Sequence, residues 1–311
     1  MSLAGGSLRF THVERLERGR AAETVPVGAL SDADLVPLVA PRAGRAGLPR
    51  DRTAIMGIVN VTPDSFSDGG RYAAPQTAVD AARAMIAAGA DIVDIGAEST
   101  RPGAAPVDTA AELARLAAVM PGLAGMNWSI DTCKAAVMTA AIDAGAELVN
   151  DVSALTHDPA ALAVVATGGG PVVLMHAQGT PADMQAAPHY DNVLLDVFDW
   201  LAVRIDACVA SGIGRDRIIV DPGIGFGKTL DHNLALLRGL TLFHGLGVSV
   251  LLGASRKALI GRIAGEARPE ARLPGSLALA LHGAACGVQI VRVHDVDETS
   301  QALAVWRSVA G

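Results

Sequence analysis

From Thr53 to the end of the chain, short apolar runs rich in valine and isoleucine alternate with alanine-rich stretches of helical period. Runs that are apolar on both faces suit a parallel sheet covered by helices. Eight runs stand out as strands: Ala54–Asn60, Ile92–Gly96, Trp128–Asp131, Leu148–Asp151, Val172–His176, Ile218–Asp221, Val248–Gly253 and Ile290–His294. Each is followed by a helical stretch. Eight such units in series predict an α/β chain closed into a (β/α)8 TIM barrel rather than an open doubly wound sheet. Gly89, Gly145 and Gly287 precede the second, fourth and eighth strands, where a helix must end in a left-handed turn.

Residues 1–52 break this rhythm. They carry Arg and Gly clusters, a turn-rich stretch from Pro41 to Pro49 and a short apolar segment, Ala33 to Ala40. They are expected to form an N-terminal extension, packed on the barrel or lying loosely on it, with residues 53–311 as the barrel itself. A chain of 311 residues fits one barrel plus such an extension.

Composition narrows the function classes. Half the residues are hydrophobic but only 3% are aromatic, so the core must be built from Ala, Val, Leu and Ile. The formal charge of −7, from 32 acidic and 25 basic residues, argues against a nucleic-acid partner bound by bulk electrostatics. Mean hydropathy is +0.36, yet no uninterrupted apolar run is long enough to span a membrane, and the N-terminus lacks the pattern of a signal peptide. Cys133, Cys208 and Cys286 form no CxxC pair, which suggests core positions in a reducing, cytoplasmic protein.

The polar residues fall in one kind of place. In chain order the strand ends carry Asn60, Glu98-Ser99-Thr100-Arg101, Asp131, Asn150-Asp151, His176, Asp221, Ser255-Arg256-Lys257 and Arg292-Val293-His294-Asp295. A barrel gathers its C-terminal strand ends on one face, where barrel enzymes place their sites. Singly, Asp131 or Asn150 could be a helix N-cap, and His176 or His294 a satisfied core or rim histidine. Eight strand ends together point to a site.

Three loops add detail. Asn60 to Gly70 is long and polar, with two carboxylates and a Gly-Gly hinge, and it can close over a substrate, although Thr62-Pro63-Asp64-Ser65 is also ordinary turn chemistry. Glu98 to Gly103 offers hydroxyls and a guanidinium. Asp221 to Lys228 alternates glycines that let backbone approach a ligand, with Lys228 a candidate anion contact, but its spacing is not that of a Walker A loop. Arg101, Lys228, Lys257, Arg292 and His294 suit a phosphate or diphosphate. Asp131, Asn150 and Asp221 can read a heterocycle with N–H donors. No HExxH motif is present, so a metal would be Mg²⁺ held by the diphosphate and an oxygen ligand such as Asn60.

These segments, with Met56 to Gly70, Ser129-Ile130-Asp131-Thr132, Met175-His176 and Gln178-Gly179-Thr180-Pro181, resemble the dihydropteroate synthase family in order and spacing from about residue 53 onward. The resemblance implies condensation of 6-hydroxymethyl-7,8-dihydropterin diphosphate with p-aminobenzoate to give 7,8-dihydropteroate and diphosphate. It assigns the pterin to Asp131, Asn150, Asp221, Lys257 and Met175, and the diphosphate to Asn60, Thr100, Arg101, Arg292 and His294, with Mg²⁺ on Asn60. It assigns the p-aminobenzoate slot to Phe66, Pro102, Phe226 and Lys257, and catalysis to Asp131, Lys257 and Arg101. A homodimer is expected, as is usual in the family. The chain departs from the family pattern at Ala97, Ala177 and Ala258, the last removing a hydroxyl near the expected p-aminobenzoate carboxylate. The alternatives are a pterin-binding methyltransferase module, which has no use for diphosphate loops, and a non-catalytic homologue, which need not keep Asn60, Arg101, Asp131 and Lys257.

Overall fold

A computed structural model describes residues 1–42, 46–61, 70–99, 103–180 and 183–310. Eight parallel strands close into a barrel: β3 (Ala54–Asn60), β4 (Ile92–Gly96), β5 (Trp128–Asp131), β6 (Leu148–Asp151), β7 (Val172–Met175), β8 (Ile218–Asp221), β9 (Ser249–Leu252) and β10 (Ile290–Val293). β10 pairs with both β9 and β3, which leaves no free edge. Around the sheet lie α2 (Gly70–Ala87), α3 (Thr109–Ala117), α4 (Ala135–Asp143), α5 (Ala161–Gly168), α6 (Val193–Ala210), α7 (Leu230–Arg238), α8 (Ala258–Ala264), α9 (Leu273–Ala285) and α10 (Val296–Ala310). The architecture is the TIM barrel that the eight apolar runs predict. Three strands are shorter than read from sequence, because His176, Gly253 and His294 already belong to the loops. Gly89, Gly145 and Gly287 all have positive φ at their helix ends.

The apolar strand residues divide by parity into two cores. Outward-facing side chains such as Val93, Ile130, Val149 and Val220 pack under the helices, around the buried Trp128. Inward-facing ones, among them Met56, Ile92, Leu148, Val173, Ile219, Leu251 and Ile290, fill the lower barrel as an apolar plug. Side chains two residues further along the same strands point inward above that plug. Those positions are Asp94, Asn150, Met175, Asp221 and Arg292. The plug is therefore the floor of a polar chamber.

The N-terminal segment forms an antiparallel hairpin of β1 (His12–Arg15) and β2 (Glu23–Pro26), followed by α1 (Asp32–Val39). Ser31 and Asp34 cap α1 reciprocally. The segment is tied to the barrel: Arg18 donates to Asp196 at 2.5 Å and to Asp199 at 2.6 Å on α6, and Arg42 donates to the His244 carbonyl at 3.0 Å. A cavity of about 100 Å³ lies between this segment and the N-terminal strand ends, lined by Leu3, Leu48, Thr53, Ile219, Ile290 and Trp306. It is at the end of the barrel opposite the polar chamber. Among the described residues no helix is long and apolar enough to cross a membrane.

The loop after β8 is held by a close backbone approach at Gly223, which has φ +70°; a Cβ there would sit 1.8 Å from the His176 carbonyl oxygen. Gly223→Ala is expected to lower stability by at least about 2 kcal/mol, through clash and left-handed strain together. A denaturant midpoint unchanged from wild type would show that the loop can give way.

Candidate active site

Strand register brings the predicted residues into one ring. Asn60 pairs with Gly96, Gly96 with Asp131, and Asp131 with Asn150, so the C-terminal ends of four consecutive strands lie level. Met175 is level with Asp221 across β7 and β8. Asp131 does not cap a helix: α4 begins at Ala135 with Lys134 at the N-cap and no side-chain cap from it, and Asp158 accepts from the Ala135 N–H instead. Asp151 does organise a turn, accepting from the backbone of Ser153 and Leu155. The two neighbours Asn150 and Asp151 thus differ in kind, one facing the chamber and the other a loop brace.

The centre of the site is a residue the sequence reading passed over. Asp94, fully buried on β4, accepts from Arg292 Nε at 2.6 Å, from Asn150 Nδ2 at 2.8 Å and from Ser129 Oγ at 2.6 Å. Arg292 Nη2 reaches Asp131 at 2.7 Å. One guanidinium therefore bridges two carboxylates, and the trio is net negative when both are ionised. Burial, opposed by Arg292 and reinforced by Asp94, pushes the Asp131 carboxyl up to about 7. Burial pulls the Arg292 guanidinium down, but Asp94 and Asp131 outweigh it and the net shift is upward. A charged residue at an inward position of an otherwise apolar strand was the signal that could have revealed Asp94.

A second cluster faces the first. Burial raises Asp221, opposed by Lys257 and by the Gly223 N–H, which donates to Asp221 Oδ1 at 2.7 Å. Burial lowers Lys257 to about 8 against the pull of Asp221. Lys257 Nζ also donates to the Ile224 carbonyl and lies 4.5 Å from the centre of the Phe226 ring, a cation–π contact. Met175 is buried at the end of β7 beside Asp221. His294 is half-buried, with Nδ1 3.1 Å from Ser255 Oγ.

Lys228, read from sequence as a candidate anion contact, has its donors taken by protein atoms in this structure. It is buried, and its three donors meet His176 Nδ1 at 3.0 Å, the His176 carbonyl at 3.3 Å and the Phe226 carbonyl at 3.0 Å. Burial lowers it to about 7, and burial with Lys228 alongside lowers His176 to about 3. The pair is a strut under the glycine-rich loop. Arg292 is narrowed as an anion contact, because two of its nitrogens already serve carboxylates. Phe66, Thr100, Arg101 and Pro102, with the rest of the first loop from Thr62 to Gly69, lie outside the described residues. The base of the second loop is described: Glu98 accepts from the Val107 N–H at 2.8 Å and from Lys134 at 2.5 Å, and Lys134 also reaches the buried Glu112 at 2.5 Å.

For a divalent cation, the described residues contain no cluster of three or more His, Cys, Asp or Glu able to hold one. Asn60 ends β3 half-buried, and its amide makes no hydrogen bond to a described residue. A single neutral oxygen of this kind fits Mg²⁺ bound mainly through phosphate oxygens and water.

The fold and the site together define a closed eight-stranded barrel of the enzyme type, with buried carboxylates and cationic side chains gathered at its C-terminal strand ends. A family described as "Pterin binding enzyme" matches residues 56–294. The dihydropteroate synthase of Escherichia coli (strain K12) is 46% identical over 254 residues, which is 81% of this chain and 89% of that protein. A structure of Xanthomonas albilineans dihydropteroate synthase with 4-aminobenzoic acid superposes with a TM-score of 0.79 at 47% identity, over 84% of this chain and 94% of that one. Another from the same organism, in complex with 7,8-dihydropteroate, gives a TM-score of 0.79 at 44% identity, over 87% and 99%. The chain belongs to the pterin-binding enzymes and, within them, to the dihydropteroate synthase family.

The Asp94–Arg292–Asp131 trio makes a pH-dependent stability prediction. With Arg292→Met the buried Asp131 loses the cation that opposes its burial, so its folded-state affinity for protons, already above that of the unfolded chain, rises further. The folded variant then binds more protons than the unfolded one above about pH 4, and its stability falls as pH rises through that window. A loss of about 3–5 kcal/mol is expected near pH 8, and a smaller one near pH 5. Denaturant unfolding at both values checks this, and equal losses would show that the trio is not an electrostatic unit.

Proposed function

We propose that this barrel condenses 6-hydroxymethyl-7,8-dihydropterin diphosphate with p-aminobenzoate, giving 7,8-dihydropteroate and diphosphate. The observation that carries the reading is the inward ring of Asp131, Asn150 and Asp221 above an apolar plug, in a chain 44–47% identical to proteins solved with 4-aminobenzoic acid and 7,8-dihydropteroate. Buried carboxylates and an amide complement the N–H donors of a pterin, and Met175 supplies an apolar wall. Loss of that solvation gives each hydrogen bond more weight than it has in water.

The reaction is a substitution at the methylene carbon next to the ring. Its C–O bond breaks with the electron pair leaving on diphosphate. The arylamine nitrogen forms the new C–N bond and releases a proton to solvent. Asp131 as the carboxylate stabilises positive charge developing on the pterin methylene, while Lys257 and His294 face the oxygen-rich partners. Phe226 under Lys257 forms a wall of the p-aminobenzoate slot, and the backbone N–H of Ala258, the first residue of α8, is the donor left for its carboxylate where the family hydroxyl is missing. Arg101, Thr100, Phe66 and Pro102 complete the assignment. Mg²⁺ on Asn60, when bound, neutralises the leaving diphosphate.

Purified protein mixed with both substrates and Mg²⁺ is expected to release diphosphate, with loss of release in EDTA and recovery on adding Mg²⁺. Bound pterin without release would sink the synthase reading. Asp131→Ala is expected to lower kcat by at least about 100-fold at saturating substrates, the scale of losing one electrostatic stabiliser. Because Asp131 must be ionised and Lys257 charged, kcat/KM is expected to rise as pH passes about 7 and to fall above about 8. A profile flat from about pH 6 to 9 would remove these groups from the charge-dependent steps.

A homodimer is part of the same proposal. Ile263 on α8 and Val305 on α10 are large apolar side chains exposed on the outer helices. Light scattering is expected to give twice 31.7 kDa; a monomer at working concentration would refute it.

A further inference from the structure

Ser255 belongs to the loop after β9, and His294 directly follows β10, its neighbour in the barrel. The Ser255 hydroxyl makes two contacts to the same histidine. It accepts from the His294 backbone N–H at 3.2 Å and lies 3.1 Å from His294 Nδ1. Ser255 is buried, and no other acceptor among the described residues meets its hydroxyl.

A hydroxyl has one proton to donate and two positions that accept. One accepting position is taken by the backbone N–H. If Nδ1 carried a proton, the hydroxyl would accept twice and its own proton, on a buried side chain, would be left without an acceptor among the described residues, which buried hydroxyls avoid. If Nδ1 carries a lone pair, every group is satisfied: the N–H donates to Oγ, and Oγ donates to Nδ1.

We propose that Ser255 is a positioning residue that fixes neutral His294 as the Nε2–H tautomer, so that the imidazole presents a donor to an anionic ligand at the strand ends. The opposite tautomer would turn a lone pair from Nε2 toward phosphate oxygens and repel them. The consequence for binding rests on the diphosphate reading of His294, whereas the tautomer itself does not. The geometry is further held by Arg256, which has φ +56° between Ser255 and Lys257. Arg256 pairs with Asp295, the residue after His294, and its N–H donates to Ser276 Oγ at 2.9 Å. The two loops are thus stapled at adjacent positions, once through Ser255–His294 and once through Arg256–Asp295.

The test is ¹⁵N NMR of histidine-labelled protein at about pH 8, above the usual imidazole range. His294 is one of eight histidines and is assigned by difference from His294→Gln. Wild type is expected to show an unprotonated, hydrogen-bonded Nδ1 and a protonated Nε2. Ser255→Ala is expected to shift population toward Nδ1–H and to weaken inorganic diphosphate binding about 3- to 10-fold by calorimetry, the scale of one hydrogen bond. Binding of the pterin alcohol without diphosphate should not change. Ser255→Thr, which keeps the hydroxyl, should restore both readouts. A wild-type proton on Nδ1, or an identical tautomer ratio in Ser255→Ala, would overturn the proposal, and the wild-type spectrum decides even if the variant fails to fold. A shifted tautomer with unchanged diphosphate affinity would uphold the tautomer assignment and take the diphosphate away from His294.

Discussion

A guanidinium held between two buried carboxylates, on top of an apolar plug, sets the terms for everything at the open end of the barrel. Arg292 on β10 reaches Asp94 on β4 and Asp131 on β5, strands it does not pair with, so the three meet only inside the closed barrel, at sequence separations of 198 and 161 residues. Each charge would be expensive to bury alone. Together they are tolerable because Ser129 and Asn150 use the remaining oxygen positions of Asp94. With both carboxylates ionised the arrangement holds negative charge in a buried place, where a fixed charge needs no reorganisation to act. The rise of Asp131 toward neutrality is the other face of the same burial.

The opposite wall is built to hold positive charge. Lys257 is set between Asp221, the Ile224 carbonyl and the Phe226 ring. That geometry depends on the path of the glycine-rich loop, and the loop depends on Lys228, which bonds the Phe226 carbonyl within it and His176 beside it. Lys228 thus contributes by shaping backbone. On the proposed reading, a chamber with an acidic side and a cationic side would separate the two ends of a ligand that is a heterocycle at one end and a diphosphate at the other.

What the chain discloses by itself is what is local. The eight strands were legible because each is a short run apolar on both faces, and their polar ends because a barrel places every C-terminal end on one face. Asp131, Asn150, Asp221, Lys257 and His294 followed from that positional rule, and the family resemblance added which ligand each would meet. Even Asp94 was within reach through parity: Ile92, Asp94 and Gly96 alternate inward, and a carboxylate in that series has to be paired.

Tertiary structure alone decided the pairings. Sequence shows that Arg292, Lys228 and Lys257 carry positive charge at strand ends, but not that the first is shared by two carboxylates, the second is sunk beneath a loop and the third lies over an aromatic ring. Nor does it show that the Ser255 hydroxyl contacts His294 twice. The reason is physical: periodicity records whether a side chain faces water or core, which depends on its own strand. A partner depends on which strands the barrel closes side by side, and no local pattern carries that information.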